Sequence, residues 1–132
     1  MKKVVIYARH SKIYGAVKLL EKQIQKCTEY AAERGFEVLN IYSDLGLATD
    51  PRPGYDELLK DADGADWDFV LVAACNRLTV TYEQFDKDLA VLRDNDIRVL
   101  DISERCIIDL KLAKALYDTY PMFGITGWED KQ

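Results

Sequence analysis

The chain has 132 residues, 48% of them hydrophobic and 31% charged, proportions ordinary for one soluble globular domain with one core. Its apolar runs are strand-length, short of the roughly 20 residues a membrane span needs, and the basic start passes through a β-branched run to Arg9 without a secretory signal. A cytoplasmic protein with no membrane partner is expected. A formal net charge of −5 argues against a uniformly basic nucleic-acid binder, yet residues 1–34 carry 8 Lys/Arg against 3 Asp/Glu, enough for a local basic face.

Lys3 to Ala8 reads as a buried, β-branched strand. Val17, Leu20, Ile24, Cys27 and Ala31 recur at steps of three and four, predicting an amphipathic helix that stops at Gly35. Phe36 to Tyr42 is a second strand, followed by a loop from Ser43 to Gly54 and a short helix from Tyr55 to Ala62. Phe69 to Ala74 is a third strand, Tyr82, Phe85, Leu89 and Leu92 form a further helical stripe, and Ile97 to Ile102 is a fourth strand. A last helix is expected from about Ile107 or Ile108 to Tyr117, ended by Pro121, with the apolar stretch Met122 to Trp128 covering the core or facing a partner.

Strands separated by single helices imply right-handed crossovers, hence an α/β fold: a three-layer α/β/α domain over residues 1–132 around a mainly parallel sheet of roughly four strands. Ligands of such sheets sit beyond the carboxyl ends of the strands. Arg9 and Ser11, Asp44, and Asn76 with Arg77 follow the first three strands and are expected on that one edge. Cys27, Cys75 and Cys106 are odd in number and scattered, which fits reduced thiols rather than a disulfide framework or a zinc site, so no metal is expected.

Each candidate residue has a structural alternative. Ser11 is a nucleophile or a turn cap, and its neighbour His10 is a base or an ordinary loop histidine. Arg9 and Arg77 either meet a phosphate, whose geometry the guanidinium fork matches, or form salt bridges with Asp44 or Asp101. Arg52, in Asp50-Pro51-Arg52-Pro53-Gly54, is a third cation over the site or part of a helix-starting turn. Gln23 flanks the apolar stripe and either orients a ligand or Ser11, or is a structural glutamine. Lys18, Lys22 and Lys26 form a row that contacts phosphates or is simply solvated. A phosphorelay receiver would need an aspartate after strand three, where this chain has Asn76.

Taken together, Tyr7-Ala8-Arg9-His10-Ser11, Leu20-Glu21-Lys22-Gln23, Asp44, Arg52-Pro53-Gly54 and Asn76-Arg77-Leu78 resemble the catalytic domain of serine site-specific recombinases, the resolvase/invertase family, over about residues 3–103. The resemblance implies that Ser11 attacks a DNA phosphodiester to form a 5′-phosphoserine link, with Arg9, Arg52 and Arg77 cradling the phosphate and Gln23 and Asp44 in support. It places Tyr7, Lys18, Lys22, Lys26 and Asn76 as phosphate contacts. It implies double-stranded DNA as substrate, a dimer and synaptic tetramer as assemblies, and no cofactor, neither ATP nor metal. Three departures stand out. Asn76-Arg77-Leu78-Thr79-Val80 replaces the family's Asp-Arg-Leu-x-Arg, and Leu47-Ala48 lies near the place of a Ser-Gly pair. The tail 104–132 does not resemble the family's long dimerisation helix or a DNA-binding domain, so the expectation is either a domain cut from a longer protein or one that works with a separate DNA-binding protein. A catalytically degenerate regulatory module is the alternative these departures imply.

Overall fold

The structure, a computed structural model, describes residues 1–47, 50–74, 77 and 89–108. The expected helical positions Tyr82 and Phe85, the stretch 109–132, Asn76 and Val80 lie outside these residues. The elements are β1 (Lys3–His10), α1 (Ala16–Arg34), β2 (Glu37–Leu45), α2 (Pro53–Ala62), β3 (Phe69–Val72), α3 (Ala90–Asp94), β4 (Arg98–Asp101) and β5 (Cys106–Ile108). They form one sheet in the order β2-β1-β3-β4-β5. The first four strands are parallel, and β5 is antiparallel to β4.

β1 lies between β2 and β3 and is buried from Val4 to His10, as a parallel strand covered on both faces must be. Its alternation splits the core. Val5 and Tyr7 join Tyr55, Leu58, Val70, Val72, Leu92 and Val99 on the α2 and α3 side. Val4 and Ile6 join Cys27, Tyr30, Ala31, Phe69, Leu71 and Leu100 on the α1 side. Helix α1 ends as the sequence predicts: Gly35 takes φ 70°, and the Gly35 and Phe36 N–H groups return to the Ala32 and Ala31 carbonyls. Its buried positions are Ala16, Gln23, Cys27, Tyr30 and Ala31, whereas Val17 is exposed. The inward stripe therefore contains a glutamine.

Three boundaries differ from the sequence reading. β1 runs on to His10 and β2 to Leu45, so Arg9 pairs with Asp44 inside the sheet rather than in loops beyond it. The mainly parallel sheet holds the four expected strands and adds β5 at its edge. Where a last helix was expected to begin, Cys106 to Ile108 instead pair with Asp101, Leu100 and Val99. Arg105, in the left-handed region at φ 54°, lies just before these residues, two of them β-branched, and the edge of β4 offers them a ladder.

Tyr42 on β2 donates its hydroxyl to Asp61 Oδ2 at 2.8 Å, and burial, with that bond, pushes its phenol up to about 12. The unfolded phenol ionises near 10. Above that pH the unfolded chain releases a proton the folded chain keeps, so this stabilisation is complete below pH 10 and is lost as pH rises through about 12. Urea unfolding followed across this range is expected to show falling stability in the wild type and a shallower fall in Tyr42→Phe.

Candidate active site

The carboxyl end of β1 overruns β3. The last β1–β3 pair is Tyr7 with Val72, while pairing to β2 continues through His10. His10 C=O turns toward β2 and accepts from Gly46 N–H, so the Arg9 peptide turns the other way, where no strand remains. Gln23 fills that place. Its Oε1 accepts from Arg9 N–H at 3.2 Å and its Nε2 donates to Arg9 C=O at 2.8 Å, so a side-chain carboxamide reproduces a strand neighbour. Arg77 Nη1 donates to the same carbonyl at 3.2 Å, and Arg9 Nε returns a bond to Arg77 C=O at 3.0 Å.

Arg52 reaches this point from the start of α2. Its Nη2 lies 3.4 Å from Arg77 C=O, and its Nε donates to Tyr7 Oη at 3.2 Å. The guanidinium carbon sits 4.0 Å from the Tyr55 ring centroid and 5.3 Å from that of Tyr7, so two aromatic faces receive its charge. Arg9 Nη1 donates to Gly46 C=O at 3.0 Å. Arg9, Arg52 and Arg77 are thus all buried, at 0%, 5% and 7% exposure; the first two meet at the Arg77 carbonyl, and the third reaches the Arg9 carbonyl.

Asp44 organises the flank. Its oxygens accept from Gly54 N–H at 2.8 Å, Tyr55 N–H at 2.9 Å and Tyr7 Oη at 2.8 Å. It caps α2 from across the fold, where the local cap residue, Arg52, makes no side-chain bond of that kind. Burial holds the Tyr7 phenol well above its ordinary range, although Arg52 opposes this, so Tyr7 stays a neutral donor between Arg52 and Asp44. Tyr7 is fully buried, and its hydroxyl bridges Arg52 and Asp44.

Ser11 follows the end of β1 and is partly exposed, with its carbonyl accepting from Ile13 N–H at 3.0 Å in a tight turn. His10 Nδ1 lies 3.0 Å from the same carbonyl, so in this contact it carries the proton. That arrangement ties the imidazole to the turn and does not aim Nδ1 at the Ser11 hydroxyl. Lys22 and Lys26 line a cleft shared with His10, Gln23 and Arg77, whereas Lys18 is exposed outside it. Asn76 lies outside the described residues. Among those residues no group of three or more His, Cys, Asp or Glu is arranged to hold a metal ion, and no helix is long and apolar enough to cross a membrane.

Sequence reasoning missed Tyr55, whose ring carries Arg52, and the Gly46 carbonyl, which no local pattern announces. Gly54 was legible only as part of a turn. A Cβ on it would stand 2.3 Å from Ser43 O and 3.0 Å from Asp44 Oδ2, so the start of α2 can dock on β2 only without a side chain there.

A mainly parallel sheet that brings three arginines and a serine to the ends of its central strands defines a resolvase-type α/β catalytic domain. Residues 4–123 match the family model described as the resolvase N-terminal domain, and the chain belongs to this family of serine recombinase catalytic domains. The N-terminal catalytic domain of TP901-1 integrase is 26% identical over 89% of this chain and 95% of that one, with a TM-score of 0.74. The C-terminal catalytic domain of ISC1926 TnpA, an IS607-like serine recombinase, is 26% identical over 76% of this chain and 68% of that one, at a TM-score of 0.66. A resolvase family site-specific recombinase from Streptococcus pneumoniae shares the fold, with a TM-score of 0.75 at 19% identity over 90% of this chain and 85% of that one. Comparison with curated protein sequences gives no match.

Gln23→Leu keeps the bulk but leaves a buried Arg9 N–H without its acceptor, and thermal or urea unfolding is expected to show a loss of about 1–3 kcal/mol. Gly54→Ala is expected to cost about 1–3 kcal/mol through the forced shift of α2, measured in the same way.

Proposed function

We infer that this domain cleaves and rejoins DNA strands in site-specific recombination, with Ser11 as nucleophile. The Ser11 hydroxyl oxygen bonds to the scissile phosphorus and gives up its proton. The bond from phosphorus to the 3′-oxygen breaks, and that oxygen leaves as a protonated 3′-hydroxyl. The product is a 5′-phosphoserine link that keeps the phosphodiester energy, so the reverse attack by a 3′-hydroxyl rejoins the strand. Double-stranded DNA is the substrate, and a homodimer that pairs into a synaptic tetramer is the working assembly.

One observation carries this reading: three buried guanidinium groups are tied to one another through the Arg9 and Arg77 carbonyls, two residues in sequence from a partly exposed serine at a strand's carboxyl end. Fixed cations there stabilise the charge that spreads over the non-bridging oxygens in the transition state. Asp44 and Tyr7 hold Arg52 to that point, and Gln23 holds the Arg9 backbone. These are positioning roles.

A second reading has its own support. Each of the three guanidinium groups donates to a backbone carbonyl, Arg9 has no exposed surface, and Val80 stands where the resemblance places a further arginine. Such a domain acts as a regulatory module without strand transfer. Suicide DNA substrates carrying a nick near the cleavage site, with a DNA-targeting domain supplied, separate the two. An adduct on Ser11, absent in Ser11→Ala, is expected, and Val80→Arg with Asn76→Asp is expected to raise its rate by about 10²-fold or more. An adduct seen only in the restored variant selects the regulatory reading, and none in either overturns the cleavage chemistry.

A further inference from the structure

Between β1 and α1 the chain crosses residues 11–15, and Lys12, Ile13, Tyr14 and Gly15 are all exposed, so burial does not hold this connection. Hydrogen bonds do. Ile13 N–H donates to Ser11 C=O and Ala16 N–H to Ile13 C=O, each at 3.0 Å. Gly15, at φ 81° and ψ 6°, is the third residue of the second turn, where the type II geometry requires a positive φ. Two tight turns in succession separate the serine from the helix.

The two peptides of the serine itself are also held from outside these turns. On its amino side, His10 C=O accepts from Gly46 N–H at 2.8 Å. On its carboxyl side, Ser11 C=O accepts a second bond, from His10 Nδ1 at 3.0 Å, on the lone pair that Ile13 N–H leaves open. A peptide is planar, so fixing the units before and after a residue fixes both of its backbone torsions. Only the side-chain torsion of Ser11 is left, with three staggered positions for the hydroxyl. His10 can act as the fixed point because it is anchored in the sheet: it pairs with Leu45 as the last residue of β1 and is 8% exposed. Strand alternation puts its imidazole on the α1 side, opposite the Arg9 guanidinium. Gly46 joins the two sides, since its C=O accepts from Arg9 Nη1 at 3.0 Å while its N–H holds the His10 carbonyl.

We propose that His10 is a positioning residue for the Ser11 nucleophile, its Nδ1–H clamping the Ser11 carbonyl so that the hydroxyl is presented from a fixed backbone. This rests on the DNA-cleavage reading given above. The imidazole neither takes the serine's proton nor touches the DNA; it acts through the Ser11 peptide. What the role requires of the side chain is a donor bonded directly to Cγ. Asparagine has that donor in the same place, its Nδ2; glutamine carries its amide one bond farther out, and leucine has none. A serine free to turn on its backbone would reach a position in line with the scissile bond only part of the time. A clamped one loses that freedom on folding, before the reaction begins.

The test compares the full chain as wild type, His10→Asn, His10→Gln and His10→Leu. In the free protein, the amide order parameter of Lys12 reports on the peptide after Ser11. It is expected at about 0.85 in the wild type and His10→Asn, and to fall toward about 0.6 in His10→Leu and His10→Gln. Order parameters within β1 and α1 are expected to stay unchanged, which separates a lost clamp from a loosened fold. On nicked suicide duplexes, with a DNA-targeting domain supplied, the rate of Ser11 adduct formation at saturating DNA is the second readout. It is expected to fall by about 10-fold to 10²-fold in His10→Leu and His10→Gln, and to stay within about 3-fold of wild type in His10→Asn. The DNA concentration that gives half the maximal rate is expected to be the same in all four. A mobile Lys12 in the wild type, a His10→Leu chain with wild-type mobility or wild-type rate, or a His10→Asn chain as slow as His10→Leu overturns the proposal; in each case an adduct on Ser11 leaves the cleavage chemistry standing. No adduct in any of the four removes the cleavage reading. A Lys12 that then loosens in His10→Leu and not in His10→Asn leaves the clamp standing, and one that does not removes both.

Discussion

The site depends on a three-residue overhang: β1 continues through Ala8, Arg9 and His10 after β3 has stopped pairing with it. A buried peptide without a ladder neighbour costs about 1–3 kcal/mol if left unpaired. The fold meets that demand with side chains. Gln23 supplies a carboxamide in place of a strand peptide, and Arg9 and Arg77 each donate to the other's backbone carbonyl. The repair that completes the sheet therefore brings two arginines together beside Ser11.

Bringing a third arginine to the same point raises an electrostatic problem, since like charges in a low-dielectric setting repel. Carbonyl dipoles answer part of it, from Gly46 and Arg77. The faces of Tyr7 and Tyr55 answer another part, for Arg52. Asp44 contributes through Tyr7, whose phenol burial keeps protonated and able to donate. The guanidinium groups are organised before substrate arrives, which is where electrostatic catalysis gains most.

The cleft on the other side of the sheet follows from the same topology. Helix α1 packs chiefly on β1 and β2, and the β4–β5 turn rises on the far side of Ala73 and Ala74. A gap remains between them at the strand ends. Lys22 and Lys26 face it because they flank Gln23 on the helix, so the residue that repairs the overhang also orients the basic row. Lys18, one turn earlier, lies outside the cleft.

Much of this was legible in order and type. The β-branched runs at Val4 to Ile6 and Phe69 to Val72, the glycine stop at Gly35 and the alternation of strand with helix determine a parallel sheet. Topology then places Arg9, Asp44 and Arg77 on one edge. The individual roles were not legible, because each is made by partners far apart in the chain. Asp44 becomes a helix cap only when β2 lies under α2, and Tyr7 a relay only when Arg52 folds over it. The fifth strand escaped notice because three residues carry no periodicity, and the open edge of β4 decides their conformation. The sequence alone thus determined which chemical groups reach the carboxyl edge, since strand polarity and crossover handedness leave no other place for them. Only the tertiary structure decided which of those groups hold one another and which face the cleft, since burial and long-range hydrogen bonds set those assignments.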